Sequence, residues 1–200
     1  MYVFRNSLDP AKFNPAARLP FELRVEDVRL AIQDVYDFFF DVNTNLVGRG
    51  LDRLDEMLRP AIMSGVLSDM VTASLAKHSR TLVVNEYFNG HPDLVVKGRY
   101  PNNSVKAGDF GVEIKTTRKA GGAVDTHGAR NQWMCVFVYE VDSESEPANS
   151  RRPMSFTEVY LGQVTVEDFR KNARGELGTR TATLHANGIA KLRRSWIYLA

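Results

Sequence analysis

The chain has 200 residues, 44% apolar, 25% charged and 10% aromatic, which excludes the disordered and fibrous classes and predicts one folded domain, residues 1–200, with a sizeable core. No stretch approaches the ~18 apolar residues of a membrane span, the opening MYVFRNSLDPAKFNP lacks the order of a secretory signal, and Cys135 is the only cysteine, so a protein of the reducing cytoplasm with no membrane partner is expected. The net charge of +2 is unevenly placed, with 10 basic and 13 acidic side chains in residues 1–96 against 16 and 11 in residues 97–200, and 18 of the 26 cations are arginine, whose planar fork suits phosphates and guanine edges.

Residues 21–43 place Val25, Val28, Ile32, Val35, Phe39 and Val42 at alternating steps of three and four, with Glu26, Asp27, Asp34 and Asp37 between them. The spacing predicts an amphipathic helix. It is nearly that of a heptad, so the stripe needs a neighbour, either the domain's own core or a second subunit. The segment NTNLVGRG, with Asn43, Asn45, Gly48 and Gly50, is expected to end this helix. LDRLDEMLR starts a second helical stretch, and Pro60 allows a third from about Ala61 to Lys77. Residues 1–80 thus read as a mainly helical layer.

From Thr81 the pattern changes to β-rich runs: TLVVNEYF, DLVVKGRY, GVEIKTT, WMCVFVYEV and FTEVYLGQVTV. The turn residues Asn89-Gly90, Pro101-Asn102-Asn103, Gly121-Gly122 and the segment SESEPANSRRP separate them. Thr165 with Asp168 has the form of a capping box, opening a short helix expected to stop at Gly175. The tail TRTATLHANGIAKLRRSWIYL fits no single period, and only Trp196, Ile197 and Tyr198 read as a final strand. The expected architecture is one α/β domain, a helical layer at 1–80 followed by a β-rich part at 81–200.

The chemistry concentrates in HPDLVVKGRY, residues 91–100, and GVEIKTT, residues 111–117. As a hairpin, these runs are antiparallel strands joined by the loop from Pro101 to Gly108. Alternation sends Glu113 and Lys115 to one face, and Val112 and Ile114 to the other, toward the helical layer. Pro92 suits the first residue of a strand and puts Asp93 at the strand end, within approach of the Glu113 carboxylate. Two carboxylates and one ammonium then converge. Such a trio suits a hard divalent ion that polarises a phosphodiester and activates water, with the lysine beside the nucleophile.

With Pro92-Asp93 as first element and Glu113-Ile114-Lys115 as second, the sequence resembles the PD-(D/E)XK nuclease superfamily, and within it type II restriction endonucleases. The resemblance implies a restriction-endonuclease-like fold, a mixed central β-sheet flanked by helices. It implies Mg²⁺ as cofactor, with Mn²⁺ substituting, Asp93 and Glu113 as metal ligands, the Ile114 carbonyl as a third, and Lys115 as the catalytic cation. Some relatives add an upstream acid, for which Glu56, Asp69 and Glu86 are the candidates. Asp109 shares the strand parity of Glu113 but lies ~13 Å along the strand and reads as a turn residue. His91 and His127 are within reach of a phosphate or simply solvated, no zinc spacing occurs, and Cys135 reads as a buried small hydrophobe.

Three basic segments lack core character: residues 118–132, 149–152 and 180–194. From them come the expected DNA contacts Arg118, Lys119, His127, Arg130, Asn131, Gln132, Arg151, Arg152, Arg193 and Arg194. Arg130 and Asn131 are the expected base readers, and the adjacent pairs Arg151-Arg152 and Arg193-Arg194 the phosphate contacts. Gln132 matches a glutamine of exonuclease-like branches, though no tyrosine follows it at their interval. The expected function is a Mg²⁺-dependent endonuclease hydrolysing phosphodiester bonds in double-stranded DNA, a site-specific type II restriction enzyme acting as a homodimer. The alternatives are a structure-selective repair or recombination nuclease, and a DNA-binding module with a vestigial nuclease site, against which the intact trio argues.

Overall fold

The apolar stripe read from the first helix is buried in the protein's own core. In the computed structural model, which describes residues 3–118, 124–126, 128–171 and 181–200, α1 (Val25–Gly48) buries Val28, Ala31, Ile32, Val35, Tyr36 and Phe39. They pack against Met63, Leu67, Val71 and Leu75 of the helix at Pro60–His78 and against one sheet face. Four of the six stripe positions, Val28, Ile32, Val35 and Phe39, are thus spent on the domain's own core, while Val25 and Val42 at its ends are partly exposed.

The expected break at Asn43 does not occur, because that side chain is satisfied by tertiary contacts. Asn43 Nδ2 donates to Asp55 Oδ1 (2.8 Å) and its Oδ1 accepts from Leu54 N (2.8 Å), tying α1 to the short α2 (Leu54–Met57). Asp55 Oδ2 accepts from Met154 N (2.9 Å), and the fully buried Arg53 donates to the carbonyls of Arg151 (2.5 Å) and Arg152 (3.0 Å). Arg53 Nε also lies 3.5 Å from Asp55 Oδ1, a buried ion pair in which removing either partner strands a charge in a low dielectric. The Pro60–His78 helix is α3.

Among the described residues nine strands follow: β1 (Leu82–Val84), β2 (Leu94–Val96), β3 (Gly111–Thr117), β4 (Asp125–Thr126), β5 (Gln132–Glu140), β6 (Ser155–Val164), β7 (Phe169–Lys171), β8 (Ala182–Leu184) and β9 (Trp196–Leu199), with α4 (Ala186–Arg193) before the last. Six of them form a mixed sheet in the order β1-β2-β3-β5-β6-β9, in which only the β3–β5 pair is parallel. The other three make a small antiparallel sheet, β4-β8-β7. The fold is mixed α/β, with the main sheet flanked by helices.

Strand alternation divides the interior into two cores. Val112, Ile114, Cys135, Phe137 and Tyr139 face α1 and α3. Met134, Val136, Val138, Tyr160 and Val164 face the opposite layer, formed by Val124, Phe169, Leu184, Ile189 and Leu192. The five β-rich runs and the final strand thus occupy their expected places. The capping box at Thr165 also forms, but it opens one 3-10 turn (Val166–Asp168), after which Phe169 enters β7 and is buried. The helix does not continue as expected, and Gly175 lies outside the described residues. Among the described residues, no helix is long and apolar enough to cross a membrane.

Asp34 of α1 ties that helix to α3, its Oδ2 accepting from Ser74 Oγ (2.5 Å) and Lys77 Nζ (2.9 Å) and lying 2.9 Å from His78 Nε2. Burial works against its charge, but the hydrogen bonds from Lys77, Ser74 and His78 prevail and hold the carboxyl at about 2. A depressed carboxyl stabilises the fold above its unfolded pKa and loses that contribution as pH falls through the folded value. Asp34→Ala is expected to lower unfolding free energy by about 1–2 kcal/mol at pH 7, a modest figure for a partly solvated site. In urea titrations the difference from wild type should shrink between about pH 4 and pH 2.

Candidate active site

β2 pairs with β3 over a short stretch, Leu94 opposite Val112 and Val95 opposite Gly111. The pairing is close enough to require glycine at 111, where a Cβ would lie 1.9 Å from the Leu94 carbonyl oxygen. Two steps further, the register would set Pro92 opposite Ile114. Proline has no N–H to give the Ile114 carbonyl, and the Pro92 carbonyl is taken by Asn85 Nδ2 (3.0 Å). The Asp93 side chain fills the gap, its Oδ2 accepting from Ile114 N at 2.7 Å. A strand residue directs its N–H and C=O to the same edge, so the Ile114 carbonyl faces the same opening, where Ser68 Oγ of α3 lies 3.5 Å away.

Glu113 and Lys115 share the other face of β3, as their parity predicts. Lys115 Nζ donates to Glu113 Oε1 at 2.6 Å, and His91 Nδ1 lies 3.3 Å from Oε2. Glu113 is only 1% exposed, whereas Lys115 keeps 23% of its side chain in solvent. Burial and the neighbouring Glu113 charge push Asp93 up to about 6, against the Lys115 ammonium and the Ile114 N–H. Burial pushes Glu113 up as well, but the His91 hydrogen bond and the Lys115 charge prevail and hold it at about 2. Of the two, Glu113 is the one whose ionised form is supported and Asp93 the one whose charge is opposed.

Among the described residues no group of three His, Cys, Asp or Glu side chains is disposed to hold an ion. The converging donors are instead two carboxylates and a main-chain carbonyl, an all-oxygen set that fits Mg²⁺ or Mn²⁺. The burial of Asp93 beside the Glu113 charge, which opposes its ionisation, is of the kind that a bound cation would relieve. Lys115 and His91 each engage one Glu113 oxygen, and each oxygen keeps a further lone pair that it could offer an ion.

Of the three upstream acids, Asp69 is the one that shares a cleft with Asp93, though the lining includes neither Glu113 nor Lys115. That cleft, of about 300 Å³, is also lined by Thr72, Val84 and Tyr87. Glu56 pairs with Arg53 (3.3 Å) beside the carbonyls of Arg151 and Arg152, by the far end of the sheet. Glu86 is exposed in the β1–β2 loop and does not line the cleft. Asp109 is likewise exposed, in a turn ahead of β3.

Three contributing residues were not singled out in the sequence, or not for these roles. Asn85 anchors the approach to Asp93: its Oδ1 accepts from Tyr87 N (3.1 Å) and Val105 N (3.0 Å), and its Nδ2 also donates to the Val105 carbonyl (2.8 Å). Ser68 meets the Ile114 carbonyl, and His91 meets Glu113 rather than open solvent. Only the proximity of His91 to Pro92-Asp93 hinted at its place.

The expected DNA contacts separate into groups. Gln132 opens β5 on the Glu113 face, having the parity of Met134, which is opposite Glu113. Arg130 and Asn131 precede it, and Asn131 Oδ1 accepts from Val166 N (2.9 Å), which engages one of the two amide ends that an adenine contact would use. Arg151 is engaged internally with the Ser145 carbonyl (3.0 Å) and Glu146 (2.6 Å), and Arg193 with Glu158 (2.7 Å). Their neighbours Arg152 and Arg194 are exposed. Arg118 donates to the Val141 carbonyl (3.0 Å) and Ser143 Oγ (3.1 Å), and with Arg152 it lines a second cleft, of about 520 Å³. That cleft adjoins Glu140, about 20 Å along β5 from Met134. Lys119 and His127 lie outside the described residues.

The chain matches no family model, no curated protein and no solved structure.

Because the folded pKa of Asp93 is raised, stability falls as pH climbs from about 4 through about 6, and above that the ionised side chain opposes folding. Asp93→Asn keeps an acceptor for the Ile114 N–H without the charge. It is expected to be more stable than wild type by about 1–3 kcal/mol at pH 8 and nearly equal to it at pH 4. Thermal unfolding at the two pH values checks both the sign and the window.

Proposed function

We propose that this protein is a Mg²⁺-dependent endonuclease, with Mn²⁺ as substitute, that hydrolyses phosphodiester bonds of double-stranded DNA at specific sites. The observation that carries the reading is the meeting of Asp93, Glu113, Lys115 and the Ile114 carbonyl where β2 parts from β3. The mixed sheet with α1 and α3 on one face agrees with a restriction-endonuclease-like fold. Homodimerisation rests on the family resemblance and on the symmetry of duplex sites, with no support from α1.

Asp93, Glu113 and the Ile114 carbonyl are the groups that would hold the ion. An ion so held polarises a phosphodiester and lowers the pKa of a bound water. Lys115 presents its ammonium toward solvent from a fixed place beside Glu113, where it can donate to a non-bridging phosphate oxygen and to the attacking water. Glu113 orients that ammonium, and His91 holds the second Glu113 oxygen. Asp93 becomes a full anion only once it has released its proton, which occurs above about pH 6 or on ligation.

Incubation of the purified protein with unmethylated plasmid and Mg²⁺ is expected to give discrete fragments. Cutting confined to branched DNA would instead select the repair reading, and binding without cutting the vestigial one. Asp93→Ala and Glu113→Ala should each abolish cleavage and retain DNA binding, whereas cleavage by both variants would overturn the assignment. Lys115→Ala should lower the single-turnover rate by about 10²-fold or more with little change in DNA affinity. Ca²⁺ should support binding without turnover.

A further inference from the structure

The β1–β2 loop carries an aromatic pair that the hydrolytic reading leaves unused. Tyr87 is 42% exposed and Phe88 87%, the highest value among the exposed large hydrophobics of the described residues. A single exposed ring on a loose loop needs no explanation, but this loop is anchored. Besides the Asn85 bonds, Gly90 N donates to the Tyr87 carbonyl (2.8 Å), Glu86 N to that of Asn103 (3.1 Å) and His91 N to that of Lys106 (3.1 Å). Gly90 sits so close to the neighbouring loop that a Cβ would lie 2.4 Å from the Val105 carbonyl oxygen.

The loop against which it packs, between β2 and β3, exposes Lys97, Arg99 and Lys106. It ends in a second half-exposed ring, Phe110, with the Arg99 guanidinium 3.9 Å above it. Tyr87 and Asn89 also line the cleft that contains Asp93. An anchored turn thus lifts an apolar ring into solvent at the lip of the candidate site, with cations on the adjoining loop. Rings that stack on bases and cations that hold phosphates are the composition of a nucleic-acid surface.

We propose that Phe88 is a wedge that enters the DNA beside the scissile phosphate and stacks on an unstacked base. The inference rests on the nuclease reading above and extends it. Substrate engagement then begins on the β1–β2 and β2–β3 loops, outside the basic segments of residues 118–194. Insertion of an apolar side chain opens a base step and bends the duplex, and the exchange is most favourable where the step is already weak.

The test uses a duplex spanning the cut position mapped on plasmid, with 2-aminopurine at the bases flanking the cut. Wild-type protein in Ca²⁺ is expected to raise its fluorescence severalfold. Phe88→Ala should leave it unchanged and cut the matched duplex at least about tenfold more slowly, and Phe88→Trp should restore both signals. A mismatch at the labelled step should bring Phe88→Ala back to within about threefold of wild type, because the stacking to be broken is gone. Equal cleavage by wild type and Phe88→Ala with quiet fluorescence would overturn the wedge and leave the nuclease standing. A defect that the mismatch does not relieve would overturn it too. Wild-type protein that cuts no DNA would overturn the nuclease reading and the wedge together.

Discussion

The hydrogen bond from the Ile114 N–H to the Asp93 carboxylate is the constraint around which the site is built. A β-ladder would ordinarily continue past Leu94, but proline at 92 removes one donor and Asn85 claims the facing carbonyl. Asp93 satisfies the donor left on β3 with its side chain. The same bond ends the strand pairing, brings one carboxylate beside another and leaves the Ile114 carbonyl on the edge of β3 that β2 vacates. Raised protonation of Asp93 follows from that crowding and burial. Strand termination and the chemistry of the site are thus one arrangement, and Gly111 makes it possible by allowing β2 to approach.

Much of this was legible because it is local. The periods of α1 and of the β-rich runs, and the parity of Glu113 and Lys115, are properties of neighbouring residues that packing then respects. What escaped prediction depends on partners far along the chain. Asn43 reads as a breaker until Asp55 and the Leu54 N–H are placed against it. The helix after Thr165 is cut short because Phe169 finds a place opposite Leu184 in the small sheet. The α4 segment is eight residues long and half polar, and its cap is His185, whose Nδ1 accepts from Gly188 N at 3.0 Å. No short-range pattern marks it.

The site residues divide in the same way. Asp93, Glu113 and Lys115 were readable because their spacing encodes a hairpin and a shared face. Asn85, Ser68 and His91 acquire their roles only when α3 and the β1–β2 loop close around that hairpin. Arginines are the least legible of all. Sequence cannot say whether a guanidinium is turned inward, as in Arg53, neutralised by a neighbour, as in Arg151 and Arg193, or exposed to solvent, as in Arg152.

β5 and β6 are buried by both cores, whereas β1 and β2, three residues each, contribute apolar side chains only to the core on the α1 and α3 side. The molecule therefore has an unequal thermodynamic grain. Amide hydrogens of the β5–β6 ladder exchange with solvent through global opening, while those of β1 and β2 exchange through smaller, local excursions. Asp93, ahead of β2, belongs to the shallow end of that gradient, and Glu113 and Lys115, on β3 beside β5, to the deep end. Mild denaturant or warming is consequently expected to part Asp93 from Glu113 before it unfolds the protein.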